Sequence, residues 1–545
     1  MEFKDSVYWQ ELSGECAHAD EVNRDNLLTI LRDNKDTAFG KVKDFASIKD
    51  VDEYRRRLPI SGYEPFRTYV CAMLMGEKDQ LTVYPIYNFC HTSGTEGLSK
   101  FIPVTSEALR RYDIAFTHRQ DEAIKQFGGK RLFFNTFRTD LHKESSKKLL
   151  FSEAYYRYMC ENNRMKEDEY LGGFDTMFSE DLGDRLFVKL WLGFACADIT
   201  VFESIFMYDA LIFFTYLKEH WHKVYDAMEA HSIPADEDIP DNIRKILLST
   251  PYTDERLADV KKLCESGMHG IAQKLWPNLK LISGVSNKSF FAEDQCLREY
   301  IGDSDSIEYY YLTYGASECY MTTAHEDNNF SYLILPKSAF FEFRPFDDEE
   351  LNGSEFDTVL PKDLKVGAEY CPVITTFSGL YRYVIEDVLV CRGFIGESPL
   401  LEFVMRKSQT LNIAGEKVDI RLVEKEIASL SGSNSVMEWT IGVELDLAPG
   451  RYFVTAVSKT GNVGVSEELA DILDSGLSRT NPDYADLRQM NYISKPLVLL
   501  LPPGAYGRFL RENGLASGHK KPNHISVNGF STEVCRKWVE EYENK

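Results

Sequence analysis

At 545 residues the chain exceeds what one hydrophobic core organises, and two or three domains are expected. An apolar fraction of 43% and a charged fraction of 27% are ordinary for a soluble globular protein. The formal charge of −24 argues against nucleic acid as the main partner, because phosphate contacts need clustered lysine and arginine. Eleven scattered cysteines contain no C-x-x-C pair, which argues against zinc ribbons and thioredoxin-like chemistry. No apolar secretory core is visible in Met1 to Gln10. The most apolar long stretch, Val201 to Leu217, carries Glu203 and Asp209 and reads as a buried aromatic-rich helix rather than a membrane span. The expectation is a cytoplasmic protein with free thiols and no membrane or nucleic-acid partner.

In chain order, charged helical patterns cover Asn26 to Lys35 and Ile48 to Arg57, the second stopped by Leu58-Pro59. Gln80 to Cys90 reads as a strand feeding the loop His91-Thr92-Ser93-Gly94-Thr95-Glu96-Gly97-Leu98-Ser99-Lys100. Ile102 to Thr105 then leads into a helix from Ser106 with a serine or threonine cap. Residues 151–300 look mainly helical, with aromatic spacing suited to core packing. His220 and His222, two apart, do not share a helical face, which disfavours a metal pair there. From 305 to 405 the pattern changes to strands at Tyr309–Thr313, Tyr332–Leu335, Phe340–Phe343 and Val373–Phe377. The acidic run Asp347 to Glu350 reads as a solvated turn. A polar hinge at 407–416 precedes a helix from Ile420 to Leu430, strands near Tyr452–Val457 and Leu497–Leu501, and further helices. Residues 1–410 are thus expected as a large domain and 411–545 as a small one.

Four stretches carry candidate chemistry. In the glycine loop, hydroxyls from Thr92, Ser93 and Thr95, a sharp turn at Gly94 and the cation of Lys100 would suit a triphosphate, although its spacing is not that of a P-loop and most such loops are plain turns. Tyr314-Gly315-Ala316-Ser317-Glu318 follows a strand: a ring can stack there, small residues admit a flat base, and the carboxylate can hold a metal. An ordinary strand-ending turn fits the pentapeptide equally well. Asp387, in a β-rich stretch, could accept the two hydroxyls of a ribose or pair with an arginine. Lys417 and Lys520 are either site cations or solvated surface lysines.

The order of these stretches resembles the adenylate-forming enzymes, which activate a carboxylate with ATP. Within them, Phe341-Glu342-Phe343, the run Thr375-Thr376-Phe377-Ser378-Gly379-Leu380-Tyr381-Arg382-Tyr383, and Phe403-Val404-Met405-Arg406-Lys407 are similar to the Gretchen Hagen-type acyl acid–amido synthetases of the auxin-responsive promoter family. Trp276-Pro277-Asn278, Cys319-Tyr320 and Pro502-Pro503-Gly504 extend the likeness over residues 55 to 525.

The resemblance implies an α/β adenylate-forming fold: a large N-terminal domain of β-sheets or a β-barrel flanked by helices, and a small mobile C-terminal α+β domain. It implies ligation of a carboxylic acid to an amino acid through an acyl-adenylate, with release of pyrophosphate and AMP. Thr92, Ser93, Gly94, Thr95 and Lys100 would hold phosphates of ATP. Tyr314, Gly315, Ala316 and Ser317 would line the adenine and α-phosphate, Glu318 would hold Mg²⁺, and Asp387 would bind the ribose. Phe403 and Arg406 would lie near the nucleotide, and Lys417 and Lys520 would bring cations to the phosphate. Arg119, on the helix after the loop, is a candidate for the substrate carboxylate, set against its reading as a plain surface arginine. The sequence departs from the family pattern at Ile385-Glu386-Asp387, where Val-Gly-Asp is usual, and at Lys520-Lys521-Pro522-Asn523, where Lys-x-Pro-Arg is usual. Two other readings are a thiol acceptor, making an acyl-CoA synthetase, and a catalytically silent acyl- or nucleotide-binding protein.

Overall fold

Four strands between residues 130 and 311 pair in parallel, in the order Lys130–Phe133, Ile199–Phe206, Leu281–Val285 and Glu308–Tyr311. Parallel neighbours need crossover connections. Helices supply them, among them Phe151–Glu161, Arg185–Ala195, Met207–Glu229 and Phe291–Ile301. A strand covered on both faces is apolar throughout instead of alternating, and every residue from 199 to 205 is buried. Here the structure corrects the sequence expectation. Val201 to Leu217 is not one helix: it divides between the strand Ile199–Phe206 and the helix Met207–Glu229. The β-branched start at Ile199-Thr200-Val201 favours the pleated form. Asp209 accepts from the Phe206 backbone N–H at 3.2 Å and starts the helix.

The computed structural model describes residues 6–92, 100–137, 148–179, 184–286, 291–302, 306–325, 330–346, 356–406, 410–411, 413, 416, 418–429, 436–444, 449–458, 461–490, 492–505 and 532–543. The acidic run Asp347 to Glu350 and the break after residue 430 lie outside them. The chain forms two compact units, one of residues 1–287 with 297–404, the other of 288–296 with 405–545.

In the first unit, the strand expected over 80–90 is confined to Ile86–Thr92, and it pairs antiparallel with Lys100–Thr105. The glycine loop therefore joins two strands of a hairpin, with Thr92 directly opposite Lys100, and the helix Ser106–Tyr112 begins only after the second strand. Thr105 caps that helix, its Oγ1 accepting from Ala108 N–H at 3.1 Å. A seven-stranded sheet runs in the order Thr322–Ala324, Ser331–Ile334, Ser398–Arg406, Asp387–Ile395, Glu369–Thr375 and Phe340–Pro345, with Tyr383–Val384 added on Glu369–Thr375. A hairpin of its own, Gly315–Ala316 with Cys319–Tyr320, stands between the two sheets in sequence.

The second unit contains a four-stranded sheet in the order Val436–Glu444, Arg451–Ser458, Leu497–Leu501 and Gly464–Val465. Its helices include Ile420–Ser429, Glu467–Thr480, Pro482–Gln489 and Thr532–Glu543. Phe453, Leu499, Leu501, Cys535 and Trp538 share one apolar core there. Among the described residues no helix is long and apolar enough to cross a membrane.

Candidate active site

The family-like run from Thr375 to Tyr383 folds as a scaffold whose last residue reaches the site. Arg382 is 1% exposed, and its guanidinium donates to both Glu342 oxygens at 3.0 Å, to Asp357 at 2.8 Å and to the Arg55 carbonyl at 2.8 Å. Tyr381 donates its hydroxyl to the Leu81 carbonyl at 2.6 Å, and Tyr54 bonds Thr375 Oγ1 at 2.7 Å. The Arg382 backbone lies at φ +44°, a left-handed conformation that a branched network must hold in place. Its carbonyl accepts from Ser61 N–H at 3.0 Å, and the Val384 N–H returns a bond to the Ser61 carbonyl at 3.0 Å. These bonds hold Tyr383 where its hydroxyl donates to Glu318 Oε1 at 2.9 Å.

Glu318 and Tyr314 come from the segment that follows the last parallel strand, at the strand's carboxyl end, where open α/β sheets place ligands. Thr313 and Thr322 lock that segment: the Tyr314 N–H donates to Thr322 Oγ1 at 3.0 Å, and Thr313 Oγ1 donates to the Thr322 carbonyl at 2.6 Å. The Tyr314 hydroxyl donates to Asp387 Oδ2 at 2.8 Å, and its ring stacks on Phe403 with centroids 5.8 Å apart. A Cβ on Gly315 would lie 2.6 Å from the Tyr320 ring, so only glycine fits. Tyr320 cannot yield, because Phe116 and Phe151 hold its ring at 4.3 and 4.2 Å between centroids. Ala316 and Ser317 complete the hairpin turn and are half-buried.

Burial pushes the Glu318 carboxyl up from its ordinary range, and Asp387 adds to this, while the Tyr383 hydroxyl and the Lys100 charge oppose it. Tyr383, buried and beside Glu318, is pushed far up and stays a hydrogen-bond donor. Asp387 is 5% exposed, whereas Glu386, the residue that departs from the family pattern, is exposed.

Tyr314, Glu318, Asp387 and Phe403 are thus brought together, and the Lys100 charge acts on Glu318. Thr92 ends its strand opposite Lys100. Ser93, Gly94, Thr95, Lys417 and Lys520 lie outside the described residues, as does the side chain of Arg406, which ends the strand Ser398–Arg406. Arg119 is engaged elsewhere: its guanidinium pairs with Glu308, Nε at 3.0 Å, and with Glu122 at 3.3 Å. Sequence reasoning missed Tyr383 as part of the site. A signal existed, since Tyr383 precedes Asp387 by the interval that separates Tyr314 from Glu318.

Mg²⁺ is commonly held by one or two carboxylates together with substrate phosphates. Glu318, half-buried with Asp387 near it, suits that role, and among the described residues no group of three or more ligating side chains offers a closed cage instead.

The GH3 family N-terminal domain matches residues 9–306, the central domain residues 332–406 and the C-terminal domain residues 420–529. The chain belongs to the GH3 family. Among relatives of this GH3 protein, the jasmonoyl–L-amino acid synthetase GH3.5 of Oryza sativa subsp. japonica is 26% identical, over 93% of this chain and 92% of its own length. The indole-3-acetic acid-amido synthetase GH3.5 of Arabidopsis thaliana is 25% identical, over 96% of this chain and 90% of its own. In fold, the chain is similar to the solved GH3.15 acyl acid amido synthetase, with a TM-score of 0.80, 20% identity, and coverage of 98% and 95%. It also shares the fold of 2-hydroxyisobutyryl-CoA ligase, an adenylate-forming enzyme, at a TM-score of 0.54, 12% identity, and coverage of 100% and 97%.

Proposed function

We propose that this GH3 protein is an AMP-forming ligase that adenylates a small carboxylic acid with ATP and passes the acyl group to an amino acid. The observation that carries the reading is the meeting of Glu318 and Asp387 beside Tyr314 and Phe403, at the carboxyl end of a parallel sheet in a GH3 chain. Asp387 can accept from ribose hydroxyls, and the stacked pair Tyr314 and Phe403 offers a flat apolar face to adenine. Glu318 would hold Mg²⁺, which when bound neutralises charge on the phosphate oxygens. The charge of Lys100 acts on this carboxylate, and with the loop donors Thr92, Ser93, Gly94 and Thr95 it would cradle phosphates. Lys417 and Lys520 keep the role the family resemblance implies, as cations for phosphate, Arg406 would lie near the nucleotide, and residues 411–545 would form the small mobile domain.

Chemically, the acid's carboxylate oxygen attacks the α-phosphorus, a P–O bond to pyrophosphate breaks, and a mixed anhydride forms. The amine nitrogen then attacks the acyl carbon, the bond to AMP breaks, and the amine proton leaves. Fixed donors facing the phosphate oxygens are the largest contribution such a site makes. The free thiols of all eleven cysteines, most of them buried, support a cytoplasmic location. Carboxylate-dependent exchange of labelled pyrophosphate into ATP tests the first step, with a broad panel of acids. A folded preparation that shows no exchange with any acid and Mg²⁺ would sink the reading. Product mass with an amino acid against coenzyme A separates amide from thioester formation.

A further inference from the structure

Two segments of the site carry the same spacing, a tyrosine followed four residues later by a carboxylate: Tyr314 with Glu318, and Tyr383 with Asp387. Their hydrogen bonds cross. Tyr314 donates to Asp387 at 2.8 Å and Tyr383 donates to Glu318 at 2.9 Å, so each segment supplies one donor and one acceptor to the other. The segments belong to different sheets. Gly315–Ala316 pairs with Cys319–Tyr320, while Tyr383–Val384 pairs with Glu369–Thr375. Side-chain bonds, rather than a shared strand ladder, tie the two carboxylates to each other.

We propose that Tyr383 is a positioning residue for Glu318, and that the crossed pair sets the distance between the metal-bearing and the ribose-binding carboxylates. The inference rests on the ligase reading of this site. A glutamate side chain has three rotatable bonds and, unrestrained, sweeps several ångströms. Fixing Oε1 on Tyr383 leaves Oε2 as the oxygen available to a cation. A carboxylate that binds metal is normally oriented by such an outer hydrogen bond. The Tyr383 donor is itself rigid: its ring is buried beside Phe66, and the backbone on either side is bonded to Ser61. Tyr383 holds Glu318 and Tyr314 holds Asp387, so loss of the Tyr383 hydroxyl should loosen the metal-bearing carboxylate and leave the ribose-binding one in place.

The test uses the full-length protein, Mn²⁺ as the probe and α,β-methylene-ATP, whose α–β bridge cannot be cleaved to transfer AMP, with metal binding followed by electron paramagnetic resonance. Tyr383→Phe is expected to weaken Mn²⁺ binding in the nucleotide complex by about tenfold, the scale of lost outer-shell partners. Nucleotide affinity without metal should be unchanged. On a Glu318→Gln background, Tyr383→Phe should have no further effect. Unaltered Mn²⁺ binding in Tyr383→Phe, or an effect that multiplies with Glu318→Gln, would overturn the proposal and leave the ligase reading intact. A Tyr383→Phe chain that cannot fold would overturn it too, since the hydroxyl would then be holding the sheet. Wild-type protein that binds no Mn²⁺ beside the nucleotide would remove the ligase reading beneath it.

Discussion

Replacing Arg382 by methionine should unfold the first unit far more readily than it alters any surface. The guanidinium is buried and spans five partners: Glu342 through Nε and Nη2, Asp357, Thr358 Oγ1, and the carbonyls of Arg55 and Leu58. Methionine has a similar volume and no donors. Glu342, with 0% exposure, would keep Arg55 at 3.2 Å and Thr358 Oγ1 at 2.6 Å but lose its bidentate partner. Two buried carbonyls would lose a donor as well. Removing one member of a buried ion pair costs about 3–5 kcal/mol. The remaining Arg55 contact reduces this and the orphaned carbonyls add to it, so roughly 4 kcal/mol is expected. Trp191 and Trp276, both fully buried in the first unit, report its unfolding by fluorescence in urea. Arg382→Lys keeps the charge without the fork and should fall between methionine and wild type. A cooperative Arg382→Met transition within about 1 kcal/mol of wild type would refute the view that this run is a scaffold.

Asp387→Ala and Lys100→Ala should each lower pyrophosphate exchange far more than thermal stability, and parallel losses in both assays would make these residues structural. Gly315→Ala sets a Cβ 2.6 Å from the caged Tyr320 ring; a loss of about 1–3 kcal/mol with reduced exchange is expected, and an unchanged melting temperature would contradict it. Lys189 is 1% exposed, and burial lowers its pKa to about 7. Between pH 7 and the ordinary lysine range the unfolded chain holds more protons than the folded one, so stability rises with pH. Relative to Lys189→Met, wild type should gain roughly 2 kcal/mol between pH 7 and 9 in urea titrations. Burial raises Glu203 to about 7, so the folded chain holds the extra proton between the ordinary glutamate range and pH 7. Stability from this group falls as pH rises through that window, and Glu203→Gln should flatten the slope; an identical slope in the variant would show that Glu203 does not titrate there.

The sequence by itself determined the family frame. Period and composition are local properties, so the strands around Phe341 and Ile374, the helix after Ile420 and the cap at Thr105 could be read from neighbouring residues alone. Tertiary structure decided where local signals compete. Ile199–Phe206 became a strand because two faces of a parallel sheet bury it, although its aromatic run with the next residues suits a helix equally well. The strands on either side of the glycine loop pair with each other, Thr92 opposite Lys100, which local signals did not show. Whether a tyrosine hydroxyl stacks idly or orients a carboxylate depends on a residue some seventy positions away in sequence, as Tyr383 with Glu318 and Tyr314 with Asp387 demonstrate. The matching four-residue interval marks both tyrosines in the sequence, but which carboxylate each one meets is fixed by distance in space, so only the folded protein discloses the crossed pair.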